Sequence, residues 1–283
     1  MTDQYRPRGF AILPPVVKNL LIINALMFLA QFVAEKSLGI RLESILGLRY
    51  PGSMAFQPWQ FVTYMFLHGS FWHIFFNMFA LWMFGNALEN IWGPKRFLIY
   101  YFVTGIGAAL FHYLVFYIEI YTTLSSLDAI IANPTVPAIS DFLTRYPLEI
   151  SSYSGEIFKE FQDFKEAWEA LAYNPDSTKA LLEVKNFLVD YREYYLNLPN
   201  VIGASGAVFG ILLAFGMLFP NTYIYVYFFF PIKAKYFVIL FGIMELYLGF
   251  TGSQSNIAHF AHLGGMIFGF FLIHYWKKKG RLY

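Results

Sequence analysis

Three groups of residues have types and spacing that could do chemistry. The first is Gly203-Ala204-Ser205-Gly206-Ala207-Val208-Phe209-Gly210, which sets one hydroxyl in a run of small residues at the head of a long uncharged apolar segment. Gly203, Gly206 and Gly210 keep an i, i+3, i+7 rhythm, so a helix through them has one bare face. Such a face lets another helix approach backbone-close inside a bilayer. A serine beside it, near a helix N-terminus, lies where the backbone favours negative charge. That suits a nucleophile whose reaction creates an oxyanion. Taken alone, the run reads first as plain small-residue packing, which is common in membrane helices. The second group is His73 and Asn77, which share one helical face at i, i+4. They can offer side-chain N–H donors to an oxyanion, or simply bond helices together. The third is His262 with Gly265 and Gly269, again at i, i+3, i+7, so the imidazole projects from a glycine-bared face. Docking that face on the glycines around Ser205 would bring the serine and a histidine nitrogen within the about 3 Å that a Ser–His hydrogen bond needs.

Composition says what must position these groups. The chain has 283 residues, of which 58% are hydrophobic and 21% aromatic. Mean hydropathy is +0.49. Charged residues make up 13%, about half the share of a soluble domain. A polytopic protein in a lipid bilayer is expected. The formal net charge of +2 gives no reason to invoke nucleic acid, and the absence of cysteine excludes disulfides, thiolate chemistry and cysteine metal sites. No small-residue cleavage site follows the first apolar run, so that run is expected to be retained as a span.

Six spans are expected, in an all-α bundle: 17–34, 72–92 (stopped by Gly93-Pro94), 97–118, 203–219, 236–250 and 257–276. A mixed loop with a Tyr50-Pro51-Gly52 turn signal separates the first two. Tyr223 to Phe230 is an aromatic run closed by Pro231, too short to span and expected to be interfacial or packed on the bundle. Residues 119–200 differ in kind. They hold 13 acidic against 6 basic residues, whereas the rest of the chain holds 5 against 14. Within them Ile157, Phe161, Phe164, Trp168 and Leu171 form one helical stripe, and Val184, Phe187, Leu188, Tyr191 and Tyr195 a second, parted by Asn174-Pro175-Asp176. These predict an amphipathic helical hairpin outside the bilayer, its stripes packed on each other, on the membrane surface or on the transmembrane core. Three divisions follow: 1–118 with spans one to three, the insert 119–200, and 201–283 with spans four to six and a basic tail.

The basic clusters at the N-terminus, Lys95-Arg96, Lys233/Lys235 and Lys277-Lys278-Lys279 fall on one side of such a bundle. The positive-inside rule makes that side cytoplasmic, with both termini there and the insert extracytoplasmic. Spans two, four and six then run inwards together. His73 and Ser205 stand at the outer starts of theirs, and His262 lies about 8 Å into its own. All three share one shallow depth.

The stretches Trp59-Gln60, Phe66-Leu67-His68-Gly69-Ser70, His73-x-x-x-Asn77, Gly203-x-Ser205-Gly206 and Ala261-His262-x-x-Gly265-x-x-x-Gly269, in this order, resemble the rhomboid intramembrane serine proteases. The resemblance implies a six-span rhomboid-like bundle and a serine endopeptidase without cofactor. It implies Ser205 as nucleophile and His262 as general base and then acid, with His73, Asn77 and the Ser205 backbone N–H at the oxyanion. It further implies transmembrane protein substrates, cut in or near a membrane segment, and a multi-pass protein of a bacterial plasma membrane. The insert is a departure from the simplest members. The alternative is a catalytically silent relative that binds membrane clients.

Other polar residues are assigned more plainly. His259, one turn before His262, is its rival as the base and is otherwise expected to be structural. Glu245 is a lone acid in the fifth span with no partner evident in the sequence, so a hydrogen-bonded structural role is expected. His68, His112 and His274 are read as structural. No acid is placed to orient His262, which fits a Ser–His dyad, and no ligand cluster suggests a metal. Paired charges along a path or inverted repeats, the marks of a transporter, are not seen.

Overall fold

The computed structural model describes residues 11–280 except 149, 153, 199, 227–228 and 252–255. The described chain is mostly helical. Its order is α1 (Pro15–Leu38), α2 (Leu42–Leu46), α3 (Gln60–Thr63) running into a 3₁₀ turn, α4 (Phe71–Ala80), a π turn (Leu81–Gly85), α5 (Asn86–Ala132), α6 (Val136–Arg145), α7 (Glu156–Tyr173), α8 (Thr178–Asn197), α9 (Ser205–Leu218), β1 (Tyr223–Val226), β2 (Phe230–Lys233), α10 (Ala234–Thr251) and α11 (Asn256–Lys278). By length and composition, α1, the run 71–132 and α10 could each cross a membrane, and α9 is a shorter apolar helix. Two compact units divide the chain. One comprises 1–48, 57–115 and 200–283, and the other 49–56 and 116–199.

In the first unit, polar side chains set where helices begin. Pro15, at the first position of α1, is pre-shaped for a helix. The buried Glu89 carboxylate of α5 accepts the next two backbone N–H groups, from Val16 at 2.9 Å and Val17 at 2.8 Å. An anion there also meets the positive end of the α1 dipole. Ser70 caps α4, its Oγ accepting the His73 N–H at 3.1 Å. The expected stop at Gly93-Pro94 is a break, with Gly93 at φ 75°. Past it, α5 continues to Ala132, well beyond the expected end at Ile118. The change from apolar to polar composition does not break a helix, whereas Asn133-Pro134 does.

Helices α5, α9 and α11 meet through small residues. A Cβ on Gly265 of α11 would fall 1.9 Å from the Gly206 carbonyl oxygen of α9, so the two backbones touch. A Cβ on Gly206 would meet Ala108 Cβ at 2.4 Å, and one on Gly210 would meet Thr104 Cβ at 2.6 Å. A Cβ on Gly269 would meet the Tyr100 hydroxyl at 2.3 Å. The expected face-to-face docking of two glycine stripes is therefore corrected. Gly206 and Gly210 make room chiefly for α5, and only Gly265 lies directly on α9. Gly203 precedes α9 at φ 127° and is no part of its helical face.

After α9 the purely α-helical description is corrected. Tyr223–Val226 and Phe230–Lys233 pair antiparallel, with Tyr225 opposite Pro231. In a two-stranded ribbon the missing N–H of a proline can face outwards without loss.

The second unit has its own core. Ile157, Phe164 and Leu171 of α7 and Val184, Phe187, Leu188 and Tyr191 of α8 are buried together with Leu127, Ile130, Ile139 and Phe142. Phe161, Trp168 and Tyr195 pack partly buried against them. Of the partners open to the two stripes, each other is the one observed. Asn174-Pro175-Asp176 separates the helices, and Ser177 caps α8 through the Ala180 N–H.

Two outcomes are expected. Gly265→Ala should destabilise the protein by about 1–3 kcal/mol through overpacking. Gly242→Ala, whose Cβ would have ordinary contact with Met266 Cε at 3.5 Å, should be nearly silent. Thermal unfolding in detergent reads both. Separately, burial and the carboxylates of Asp190, Glu156 and Asp163 raise the Glu160 carboxyl above its ordinary range. The folded state then binds a proton more readily than the unfolded chain, so the charged group opposes folding at neutral pH and the penalty fades as pH falls through its raised value. Glu160→Gln should raise the unfolding temperature at pH 7.5, with the gain shrinking on acidification. A constant gain at every pH would refute this.

Candidate active site

Ser205 is the first residue of α9, next to the unpaired N–H groups and the positive dipole end of that helix. The chain reaches it through fixed points. Leu48 and Val201 exchange backbone hydrogen bonds of 2.9 and 3.2 Å, and the Gly203 N–H donates to the Tyr64 carbonyl at 2.8 Å. His262 comes from the first third of α11, and the Gly265–Gly206 backbone contact one turn away brings it to α9. Its Nε2 lies 2.8 Å from Ser205 Oγ. The Phe209 ring, one turn after Ser205, stacks on the imidazole at 4.3 Å with 3° between planes. That contact holds the ring in the plane the hydrogen bond requires.

The other imidazole nitrogen is engaged as well. His262 Nδ1 lies 2.9 Å from Glu245 Oε2, and His259 Nδ1 lies 2.7 Å from the same oxygen. Glu245 is buried on α10. Two expectations are thereby corrected. Glu245 is not alone, and an acid does stand at the nitrogen of His262 opposite the serine. His259 does not contend for Ser205, since its Nδ1 points to the carboxylate.

Glu245, His259 and His262 also form a set of three ligand-type side chains whose atoms lie within 4.8 Å of one another, where the sequence suggested none. Their N···O separations of 2.7 and 2.9 Å are those of hydrogen bonds. Ligands about 2.0–2.2 Å from one tetrahedral ion would stand farther apart. The geometry as it stands is therefore a hydrogen-bonded cluster.

His73 and Asn77 line the same cavity as Ser205 and His262, a space of 510 Å³ with otherwise largely apolar walls that include Trp72, Phe76, Phe237 and Phe241. The Gly69 N–H donates to His73 Nδ1 at 3.3 Å. This assigns the proton to Nε2, which stays available as a donor. A Cβ on Gly203 would lie 2.8 Å from His73 Nε2 and 3.7 Å from Ser205 Oγ, so the glycine leaves the space between them open. Asn77 Nδ2 donates to the His73 carbonyl at 3.1 Å, which leaves its second amide hydrogen for another acceptor. His68 packs edge-on against His73 with centroids 5.0 Å apart. Burial, with His73 nearby, pushes His68 down to about 3, so it is neutral at ordinary pH. Its backbone is tied to α1, its N–H donating to Gln31 Oε1 at 3.0 Å.

Glu245 is hydrogen-bonded as expected, and its partners are what sequence reasoning missed, although a signal existed. Helices α10 and α11 end and begin at 251 and 256. In a helical hairpin, residues equally far from the turn face each other, and reflection about its centre carries 245 to 262.

Comparison with known proteins gives a consistent answer. The family model for the rhomboid domain matches residues 55–119 and 181–279. These ranges contain His73, Asn77, Ser205, Glu245, His259 and His262, and leave out most of the insert. The rhomboid protease AarA of Providencia stuartii is 32% identical over 96 residues, covering 33% of this chain and 34% of that protein. YdcA of Bacillus subtilis is 31% identical over 97 residues, covering 34% of this chain and 48% of YdcA. The rhomboid protease GluP of the same organism is 38% identical over 52 residues, covering 18% and 10%. The chain thus spans about half or less of the length of the curated relatives it matches. A family model matched over more than half of the chain, on a mostly helical apolar fold, makes this a multi-pass integral membrane protein of the rhomboid domain family.

Proposed function

We propose that the protein is an intramembrane serine endopeptidase that cleaves membrane proteins in or near a transmembrane segment. The observation that carries this reading is the 2.8 Å contact between Ser205 Oγ and His262 Nε2, at a helix N-terminus and beside a cavity shared with His73 and Asn77. Homologues named as rhomboid proteases support it.

In this mechanism the Ser205 hydroxyl gives its proton to His262 Nε2 as Oγ attacks the scissile carbonyl carbon, and the carbonyl electrons move onto oxygen. The oxyanion is met by His73 Nε2–H, the Asn77 amide and the Ser205 backbone N–H. As the tetrahedral centre collapses, the C–N bond breaks and His262 passes its proton to the leaving amine. Water then gives a proton to His262 Nε2 as its oxygen attacks the acyl carbon, the bond from that carbon to Ser205 Oγ breaks, and His262 returns the proton to Oγ as the acid product leaves.

The bundle in this reading has six spans, with 71–132 crossing twice about the Gly93 break. Termini are cytoplasmic, in a bacterial plasma membrane, and the insert 119–200 is extracytoplasmic. Helix α9, at 14 residues, rises about 21 Å against a hydrocarbon core of about 30 Å, which recesses the serine within the membrane. A bond cut there must first be reached by water, which the small polar cluster at the mouth of α9 can hold.

The test is fluorophosphonate labelling of the detergent-solubilised protein. Parent protein should label, with loss of about 10³-fold or more in the labelling rate for Ser205→Ala and His262→Ala. Gly203→Ala should also lose most of its rate, since a Cβ there sits at a strained φ of 127° against His73. No labelling of a folded parent would turn the reading to a silent client-binding relative. Cytoplasmic-side labelling of cysteines placed at 150–195 would overturn the topology.

A further inference from the structure

We propose that Glu245 is a positioning residue for His262, so that the reacting centre is a chain of three groups where the resemblance implies two. The inference rests on the reading of Ser205 as nucleophile. To take a proton at Nε2, the neutral imidazole of His262 must carry its hydrogen on Nδ1. In apolar surroundings that N–H needs an acceptor, and Glu245 Oε2 stands there at 2.9 Å. The same carboxylate faces the imidazolium formed once the serine proton has moved, a charge that is otherwise unfavourable inside a bilayer.

The carboxylate is itself held. Glu245 is 5% exposed, and an acid in such a place is kept by its partners. His259, one turn before His262 on the same helix, donates Nδ1–H to the same oxygen at 2.7 Å. The rings of His259 and His262 stand at 88°, so the two donors converge from different directions. One face of α11 thus presents both the imidazole that reacts and the imidazole that fixes its orienting acid. Phe209 holds the remaining freedom of the His262 ring plane. Each contact restricts a different motion: Glu245 the tautomer and in-plane rotation, Phe209 the tilt, His259 the carboxylate.

A helix staple made of the same residues would affect stability but not chemistry, so the experiment must read chemistry. Full-length protein in detergent is labelled with a fluorophosphonate at several concentrations, separating the maximal inactivation rate from the half-saturating concentration. Glu245→Gln can present an amide donor to Nδ1 and so favour the wrong tautomer. Its maximal rate should fall about 10²–10⁴-fold with half-saturation unchanged. Glu245→Asp, with the charge but less reach, should recover at least tenfold over Gln. His259→Asn, which still offers an N–H, should lose less than tenfold. A folded Glu245→Gln protein within threefold of the parent rate overturns the inference while leaving the protease reading intact. A folded parent that takes no label defeats both. If the variants do not fold, ¹⁵N NMR of the parent decides, with the His262 signals assigned by their absence in His262→Asn. A protonated Nδ1 and bare Nε2 are expected, and a protonated Nε2 with bare Nδ1 overturns the proposal.

Discussion

The structure depends on two backbones touching. Gly265 of α11 lies against the carbonyl of Gly206 in α9, where even a methyl group would sit 1.9 Å from oxygen. No hydrophobic force brings helices together in lipid, so such contacts must supply the association through close packing. They also set the geometry of the site. Ser205 is one residue before Gly206 and His262 three before Gly265, so the spacing of the two side chains follows from the spacing of the two backbones. The 2.8 Å hydrogen bond is a consequence of where α9 and α11 can meet. Thr104, Ala108 and Tyr100 of α5 fill the other side of the α9 and α11 glycines and keep the pair from separating.

The second constraint is that polar groups in an apolar bundle must find partners. Glu89 spends its two oxygens on the first N–H groups of α1, and so fixes one helix end against another helix. Glu245 gathers two imidazoles on one oxygen. The two acids solve the same problem with different results. The partners of Glu89 are backbone groups that cannot do chemistry, which leaves it a structural device. One partner of Glu245 has a second nitrogen, and that nitrogen faces a serine.

Much of this was legible before any coordinates. Small-residue periodicity, the apolar spans and the His73/Asn77 and His262 registers all lie on single helices, where neighbours in space are neighbours at i+3 or i+4. The stripes of the insert were legible for the same reason. What escaped were relations between elements. Glu245 meets His262 only by reflection about the midpoint between two helices, and a linear reading shows an acid with nobody near it. The strands 223–226 and 230–233 read as one aromatic run because the antiparallel pairing of one part with the other leaves no mark of period 3.6. The change of composition at Ile118 is no change of structure, and the residues that end helix α5, Asn133 and Pro134, come fifteen and sixteen positions later.

The same distinction explains how the insert can exist at all. Its helices bury their stripes on one another and on Leu127, Ile130, Ile139 and Phe142, so its apolar surface is satisfied from within. Burial first, and then the carboxylates of Asp190, Glu156 and Asp163, raise the Glu160 carboxyl, so the insert also carries a local cost of packed acids. Beyond that core it holds a short stretch of the earlier chain, Asn197 accepting from Arg49 and Ser53 and Glu193 from the Met54 N–H, and all of these lie in the second unit. The residues before it and after it, Asn77 on one side and Ser205 on the other, can therefore meet at one cavity although more than a hundred positions separate them.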